Sequence, residues 1–412
     1  MIRLGLDRVR RALAFLGHPE EAFGSVLVAG TNGKGSVSAL VESAARAADL
    51  RTGLFTSPHL VDVRERVRVG GVKIPLKDWR RLSLEIEDLS RRRRLALTEF
   101  ERQTLLAFAW FAACRVDLAV VEVGLGGRLD AANTLPLPEV GVIASIGHDH
   151  KEWLGSALHD VYFEKRGIAR SGAPLVQSVP PALRREGDRD YLKRDVSAWT
   201  LGREIQAHHR GTNWARRRQR LDVSLPGADY RGLEIGLLGG HQVQNAALAL
   251  AACHHLRRRG WPLTEAAIRD GFASAAWPGR FQVVPGVRGR PDAILDGAHN
   301  LEAVRALSTA YRASPWGRGP TTLVFGCLKD KNAAAMAQIL GPFAARVFLA
   351  PLPTPRARST SELRRFWRGR DVREEPSAAE AVARALAGRE TVLVAGSLYL
   401  VGEAMKVLGV KP

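Results

Sequence analysis

Three features of this 412-residue sequence predict an α/β protein built as two units. Short apolar runs end at glycine or polar clusters and alternate with segments of helical period, the pattern of a mostly parallel sheet covered by helices on both faces. The first run leads into a glycine-rich turn with one lysine, Gly30-Thr31-Asn32-Gly33-Lys34-Gly35-Ser36, the strand–loop–helix layout of a P-loop. The alternation then restarts after Trp277-Pro278-Gly279-Arg280-Phe281 and a Gly-, Pro- and Arg-rich stretch from Pro285 to Pro291, which marks a boundary. The expected organisation is a P-loop-containing, mostly parallel sheet domain over 1–279, a linker over 280–290, and a smaller Rossmann-like, doubly wound α/β domain over 291–412.

In the first unit, strands are expected at Val26–Ala29, Leu118–Val123 and Val140–Ser145, each a short apolar run bounded by turn residues. Val37–Leu50 and Thr104–Ala113 carry helical spacing between them. Around Leu221–Leu238 the pattern becomes alternating and glycine-rich, which predicts an antiparallel excursion. Gln242–Leu256 then reads as an alanine-rich helix. In the second unit, strands are expected at Ala293–Asp296, Thr322–Phe325, Val347–Ala350 and Thr391–Ala395. Helices are expected at Leu301–Tyr311, Ala333–Leu340 and Ala378–Ala387.

Composition narrows the function classes. No apolar stretch reaches the length that spans a bilayer, and Met1-Ile2-Arg3-Leu4 opens without an apolar signal core. Cys114, Cys253 and Cys327 are odd in number and far apart, which fits neither a disulfide framework nor a zinc set. A cytoplasmic, reduced, soluble protein is expected. The formal charge of +19 raises nucleic acid as a partner, with arginine runs at 91–94, 216–218 and 257–259. None is interleaved with aromatics, so a solvated arginine-rich surface is favoured over a polynucleotide groove. A general field drawing in small polyanions is the third reading.

The phosphate loop departs from the standard pattern: Val28 stands where the first glycine belongs, and Gly35 separates Lys34 from Ser36. Lys34 is placed to reach the β- and γ-phosphates, and a loop hydroxyl to ligate Mg²⁺. Four more clusters stand at strand ends, where open α/β sheets bind ligands. Thr56-Ser57-Pro58-His59-Leu60 reads by itself as a turn. Glu122, before Gly124-Leu125-Gly126-Gly127, suits a metal ligand in a P-loop protein, although a strand-end acid can also cap the next helix. His148-Asp149-His150 offers an imidazole to complete such a metal site, or only local hydrogen bonds. Asp296-Gly297-Ala298-His299-Asn300 offers a carboxylate to a ribose and an imidazole to a phosphate, unless Asp296 is the N-cap of the next helix. Lys165, in Phe163-Glu164-Lys165-Arg166-Gly167, reads as a solvated helix lysine.

Taken together, these motifs resemble the folylpolyglutamate synthase family, often bifunctional with dihydrofolate synthase in bacteria, within the Mur ligase superfamily. The resemblance runs from about Leu6 to Glu403 and includes Arg64-Glu65-Arg66, Glu164-Lys165, His241-Gln242 with Asn245, and Gly396-Ser397-Leu398. It implies ATP-dependent ligation of L-glutamate to folates, and to dihydropteroate, through an acyl phosphate. It also implies ATP and Mg²⁺ as cofactors, with two metal ions, and K⁺. Gly30, Thr31, Asn32, Gly33, Lys34, Gly35 and Ser36 would hold the phosphates, with Asn245, Arg280 and Asp296 on the rest of ATP. Ser57 and Glu122 would ligate one Mg²⁺, and His150 the second. Lys165 matches a position that is carbamylated in the family, which reverses its reading as a solvated lysine. Lys34, Lys165 and His299 would be catalytic. Pro58, His59, Phe100, Leu129, Asp130 and Ala131 would line the pterin side, and the region of Ser397 would take the incoming glutamate.

The expected partners are small molecules, with no nucleic acid, no membrane and a monomeric chain. Another Mur-type ligase is the nearest rival, but those that build peptidoglycan precursors carry a UDP-sugar domain ahead of the P-loop, and here the P-loop strand is expected by Val26, leaving no room for it. A basic P-loop ATPase acting on nucleic acid and a non-catalytic nucleotide-binding regulator are the rivals from other classes.

Overall fold

A computed structural model describes residues 3–287 and 289–412. Met1, Ile2 and Arg288, which fall in the expected first unit and linker, lie outside the described residues.

The first sheet has eight strands: β1 (Gly24–Ala29), β2 (Thr52–Phe55), β3 (Val67–Val69), β4 (Val72–Lys73), β5 (Leu118–Glu122), β6 (Val140–Ile143), β7 (Leu175–Gln177) and β8 (Ala198–Thr200). Their order is β4-β3-β2-β5-β1-β6-β7-β8. The six from β2 to β8 in that order run parallel, and β3 and β4 add an antiparallel edge. Strand β1 explains why the apolar runs were continuous. Val26 and Val28 point into a core with Leu40 and Val41 of the helix Lys34–Ala47. Leu27 and Ala29 point into the opposite core with Phe108 and Phe111 of the helix Glu99–Ala113. A strand covered on both faces has no polar side to show.

A three-stranded antiparallel sheet follows: β9 (Gln206–Asn213), β10 (Arg218–Leu225) and β11 (Ala228–Ile235), ordered β11-β10-β9. Leu221, Val223, Leu233 and Ile235 pack into the first core, so the expected excursion rests on the helix Gly240–Arg258. Its strand β9 was not expected. Most of its residues are exposed, and an exposed strand carries no apolar signature.

The second sheet has six strands: β12 (Gln282–Val284), β13 (Ala293–Leu295), β14 (Thr321–Phe325), β15 (Ala344–Leu349), β16 (Asp371–Glu374) and β17 (Thr391–Ala395). Their order is β12-β13-β17-β14-β15-β16. The expected linker 280–290 is therefore not all connection: β12 pairs antiparallel with β13 at its edge, Val283 opposite Ile294. Three residues before a Pro- and Gly-rich stretch are too few to register as a strand.

Candidate active site

Strand β1 lies between β5 and β6, and the loops leaving their carboxyl ends diverge around one crevice. Parallel sheets bind ligands at such a point. A cavity of about 330 Å³ opens there, and the second unit supplies its far wall.

The near wall begins with the phosphate loop. Gly33 has φ 84 and N-caps the helix Lys34–Ala47, so the first amides of that helix face the cavity. A side chain at Gly33 would be strained by its φ and would meet Asn245. Lys34 Nζ lies over its own loop, donating to the carbonyls of Gly30 at 3.0 Å and Thr31 at 3.3 Å, and sits 3.9 Å from Glu122 Oε1. The loop is fastened to the segment after β6. Asn32 N donates to Ser145 Oγ at 2.8 Å, and Thr31 Oγ1 donates to the Gly147 carbonyl at 2.9 Å. Thr31 and Asn32 thus hold the cradle's shape with their own groups, while the backbone and Lys34 face the cavity.

Glu122, at the end of β5, is 4% exposed, and its Oε2 accepts from Ser57 N at 3.3 Å. Burial raises its carboxyl to about 6, against the pull of Lys34. It caps no helix. Ser57 and Pro58 line the same cavity. His150 occupies the N-cap of the short helix Lys151–Leu154 with φ 50, and 39% of its side chain is exposed. Burial lowers its pKa, partly offset by Asp149.

The reading of Lys165 as a solvated lysine fails. It is 3% exposed and lines the cavity, and burial together with the charge of Lys34 lowers its pKa to about 7. The cause is Gly127: a Cβ there would come within 3.0 Å of the Lys165 carbonyl, so only glycine lets the helix Leu158–Arg166 approach this closely.

The far wall comes from Arg280, Asp296, His299 and the helix Leu301–Ala313. Asp296 is buried, and burial raises its pKa against Arg280 beside it. Its two oxygens accept from Phe281 N and Ala298 N, each at 2.8 Å. The N-cap role falls instead to Asn300, whose Oδ1 accepts from Ala303 N at 2.9 Å. His299 Nδ1 donates to the Gly297 carbonyl at 2.7 Å, and burial holds its pKa near 4, so it is a neutral imidazole with Nε2 as acceptor. Asn245 and Gln242 line the cavity from the helix Gly240–Arg258, joined by a 2.9 Å hydrogen bond.

Most of the expected pterin-side residues stand behind the wall. Of that set only Pro58 lines the cavity. Phe100 lies under Gly124, where a Cβ would come within 2.5 Å of its ring, and packs against Phe55 with centroids 5.7 Å apart. Asp130 is buried with its carboxylate on Leu125 N (2.8 Å) and Ala132 N (3.0 Å), and burial raises it to about 6. Ala131 is buried and Leu129 half-buried beside it. His59 Nδ1 accepts from Arg66 Nε at 3.0 Å. Their local contacts shape the Gly124–Gly126 loop, which does line the cavity. Ser397 caps the last helix through Tyr399 N at 3.1 Å, and the adjoining Leu398 reaches the cavity.

Among the described residues, the tight grouping of three acidic or imidazole donors is His18, Glu20 and Glu21, outside this cavity. Glu122 and His150 share the cavity without forming such a group. Asp149, given no role of its own in the His148-Asp149-His150 cluster, lines the cavity, and Lys331, which sequence reasoning missed, reaches it from the second unit at 2.6 Å. In sequence Lys331 is one of two lysines in a charged loop, Lys329-Asp330-Lys331, and nothing local distinguishes it.

Comparisons with known proteins agree with this architecture. The Mur ligase middle domain matches residues 28–253, and the Mur ligase glutamate ligase domain matches residues 279–398. A dihydrofolate synthase/folylpolyglutamate synthase of Bacillus subtilis is 33% identical, over 99% of this chain and 95% of its own length. The crystal structure of Escherichia coli FolC in complex with DHPP and ADP superposes with a TM-score of 0.88 at 35% identity, covering 99% of this chain and 94% of that one. A Yersinia pestis folylpolyglutamate synthase/dihydrofolate synthase complexed with AMPPNP and Mn ion gives a TM-score of 0.87 at 31% identity, over 99% and 94% of the two chains.

Proposed function

The chain belongs to the Mur ligase family, and from that premise we propose that it is an ATP-dependent ligase joining L-glutamate to folates and to dihydropteroate. The observation that carries this reading is the single cavity shared by two half-sites: the phosphate loop with Glu122 and Lys165 on one wall, and Arg280, Asp296 and His299 on the other.

The chemistry joins two anions. A carboxylate oxygen of the acceptor attacks the γ-phosphorus of ATP, ADP leaves, and an acyl phosphate forms. The glutamate amine then attacks the acyl carbon, loses a proton, and the tetrahedral intermediate expels phosphate to leave the amide. The protein must orient the reactants and offset their charge. Lys34 and the amides of Gly33 to Ser36 take the β- and γ-phosphates. Arg280, Asp296 and Asn245, which line the same cavity, hold the rest of the nucleotide. Phe100, Leu129, Asp130, Ala131 and His59 set the loop and turn against which Pro58 and the acceptor rest.

Ser57, Glu122 and His150 suit Mg²⁺. They combine hard oxygen donors with one imidazole, and Glu122 is a buried carboxylate whose burial only partial cation contact offsets. Bound there, Mg²⁺ would supply charge neutralisation at the phosphates. Lys165 fits carbamylation, since a buried amine titrating near 7 is substantially neutral at physiological pH and so nucleophilic toward CO₂. A second Mg²⁺ on His150 and the Lys165 carbamate, and K⁺, are carried by the family resemblance.

The reading takes the protein as a cytoplasmic monomer acting on small molecules. Part of the arginine runs is engaged in intramolecular pairs, Arg91 and Arg92 with Asp88 and Arg259 with Glu139, which favours a solvated surface over a polynucleotide groove. Among the described residues, no helix is long and apolar enough to cross a membrane. Incorporation of labelled L-glutamate into dihydropteroate or a reduced folate, with ATP and Mg²⁺, tests the proposal. Polynucleotide-stimulated ATP hydrolysis without incorporation would favour the nucleic-acid ATPase instead.

A further inference from the structure

The two units meet at the cavity through side-chain contacts between motif residues of the first unit and groups of the second, of which Lys331 belongs to no motif. Lys331 Nζ donates to Asp149 Oδ1 at 2.6 Å, with only 9% and 13% of the two side chains exposed. Asn300 Nδ2 donates to Asn32 Oδ1 at 2.9 Å, and Asn32 Nδ2 donates to Glu302 Oε2 at 3.3 Å. The asparagine contact ties the second unit to the phosphate loop. The ion pair ties it to the segment carrying His150.

Both ends of the ion pair are anchored. On the second unit, Lys331 N donates to the Leu328 carbonyl at 3.2 Å, and Asn332 caps the helix Ala333–Leu340 through Ala335 N at 3.1 Å. The ammonium therefore moves with that unit. On the first unit, the same Asp149 Oδ1 that receives Lys331 also accepts from His150 N at 2.9 Å. One oxygen thus joins the second unit to the backbone of a residue held in the left-handed region, at φ 50. Lys331 also has an acid on its own loop, Asp330 Oδ2 at 3.3 Å, yet its shorter contact, 2.6 Å, is to Asp149 across the two units.

We propose that Lys331 is a positioning residue that clamps the second unit onto the Gly147–His150 segment, so that His150 is set for its role only when the two half-sites are together. The proposal rests on the ligase reading for its kinetic consequences but not for the clamp itself. A desolvated charge pair between two units is lost as a unit when either partner is removed, and the losses are then non-additive.

The test is a double-mutant cycle of Lys331→Met and Asp149→Asn in the full chain, with Lys331→Arg as the conservative control. Each single change should lower kcat/KM for glutamate incorporation on the order of 30-fold or more. The double variant should be no worse than the poorer single, and Lys331→Arg should recover most of the activity. ADP binding by calorimetry should stay within about twofold of wild type, because the phosphate cradle does not use Lys331. Additive losses, or a loss confined to ADP affinity, would overturn the clamp, the latter by showing that Lys331 acts on the phosphates directly. A second readout needs no turnover: with one spin label on each unit and ADP present, the inter-unit distance should be narrow in wild type and broad in Lys331→Met. Equal widths would overturn the proposal even if the activity fell. If wild type incorporates no glutamate but its distance is narrow while that of Lys331→Met is broad, the ligase reading fails and the clamp stands.

Discussion

Replacing Glu122 by Gln should make the nucleotide-free, metal-free protein more stable while abolishing its chemistry. Glu122 is 4% exposed and 3.9 Å from Lys34 Nζ. At an effective dielectric near 20 that attraction amounts to about 4 kcal/mol, yet burial wins and the carboxyl rises from 4.5 to about 6. The folded state keeps its proton to higher pH than the unfolded state does. The penalty is therefore absent below pH 4.5, grows between 4.5 and 6, and is fully present above 6. A shift of this size corresponds to about 2 kcal/mol of lost stability at pH 8, which Gln, nearly the same in shape, does not suffer. The assay is thermal unfolding of both proteins in chelator at pH 8 and at pH 4.5. Glu122→Gln should melt a few degrees higher at pH 8, with the gap closing toward pH 4.5. Added Mn²⁺ should raise the melting temperature of wild type and leave the variant unmoved. A variant that melts below wild type at pH 8, or that gains as much from Mn²⁺, would refute the picture of a buried carboxylate kept for a cation.

Three further outcomes follow from the same geometry. Lys34→Ala should lower ATP turnover on the order of 10³-fold and, by removing the cation 3.9 Å from buried Glu122, should lower the melting temperature at pH 8 more than at pH 4.5; steady-state kinetics and melts at the two pH values decide it. Gly124→Ala would drive a Cβ within 2.5 Å of the Phe100 ring, so it should destabilise by about 1–3 kcal/mol and raise KM for the acceptor more than KM for ATP, as denaturant titration and substrate saturation would show. In crystals grown with bicarbonate, nucleotide and Mg²⁺, density should extend past Lys165 Nζ as a carbamate. An unmodified lysine there would remove it from the metal site.

The parts of the site legible in sequence were those whose signal is local. Gly30 to Ser36 declare a phosphate loop because a strand, a glycine turn and a helix follow in one short segment. Glu122 and Asp296 are legible because each ends an apolar strand. Lys165 was not, since its surroundings along the chain are Glu164 and Arg166. Its burial comes from Gly127, far away in sequence, which lets the helix close in. Lys331 was hidden for the same reason: its partner Asp149 belongs to the other unit. Strands β7 and β8, with three residues each, were missed because neither run is followed by a motif like the Asp296-Gly297-Ala298-His299-Asn300 that flags the equally short β13. The resemblance assigns Phe100 and Asp130 to the pterin side; in the structure Phe100 packs under Gly124 and Asp130 accepts from Leu125 N, so both support the cavity wall.

The measurement closest to the central claim is incorporation of radiolabelled L-glutamate by the purified protein with ATP and Mg²⁺, using dihydropteroate and a reduced folate in separate reactions. Both acceptors should gain label, with one ADP and one phosphate released per amide formed. ATP hydrolysis without label in either acceptor would contradict the account.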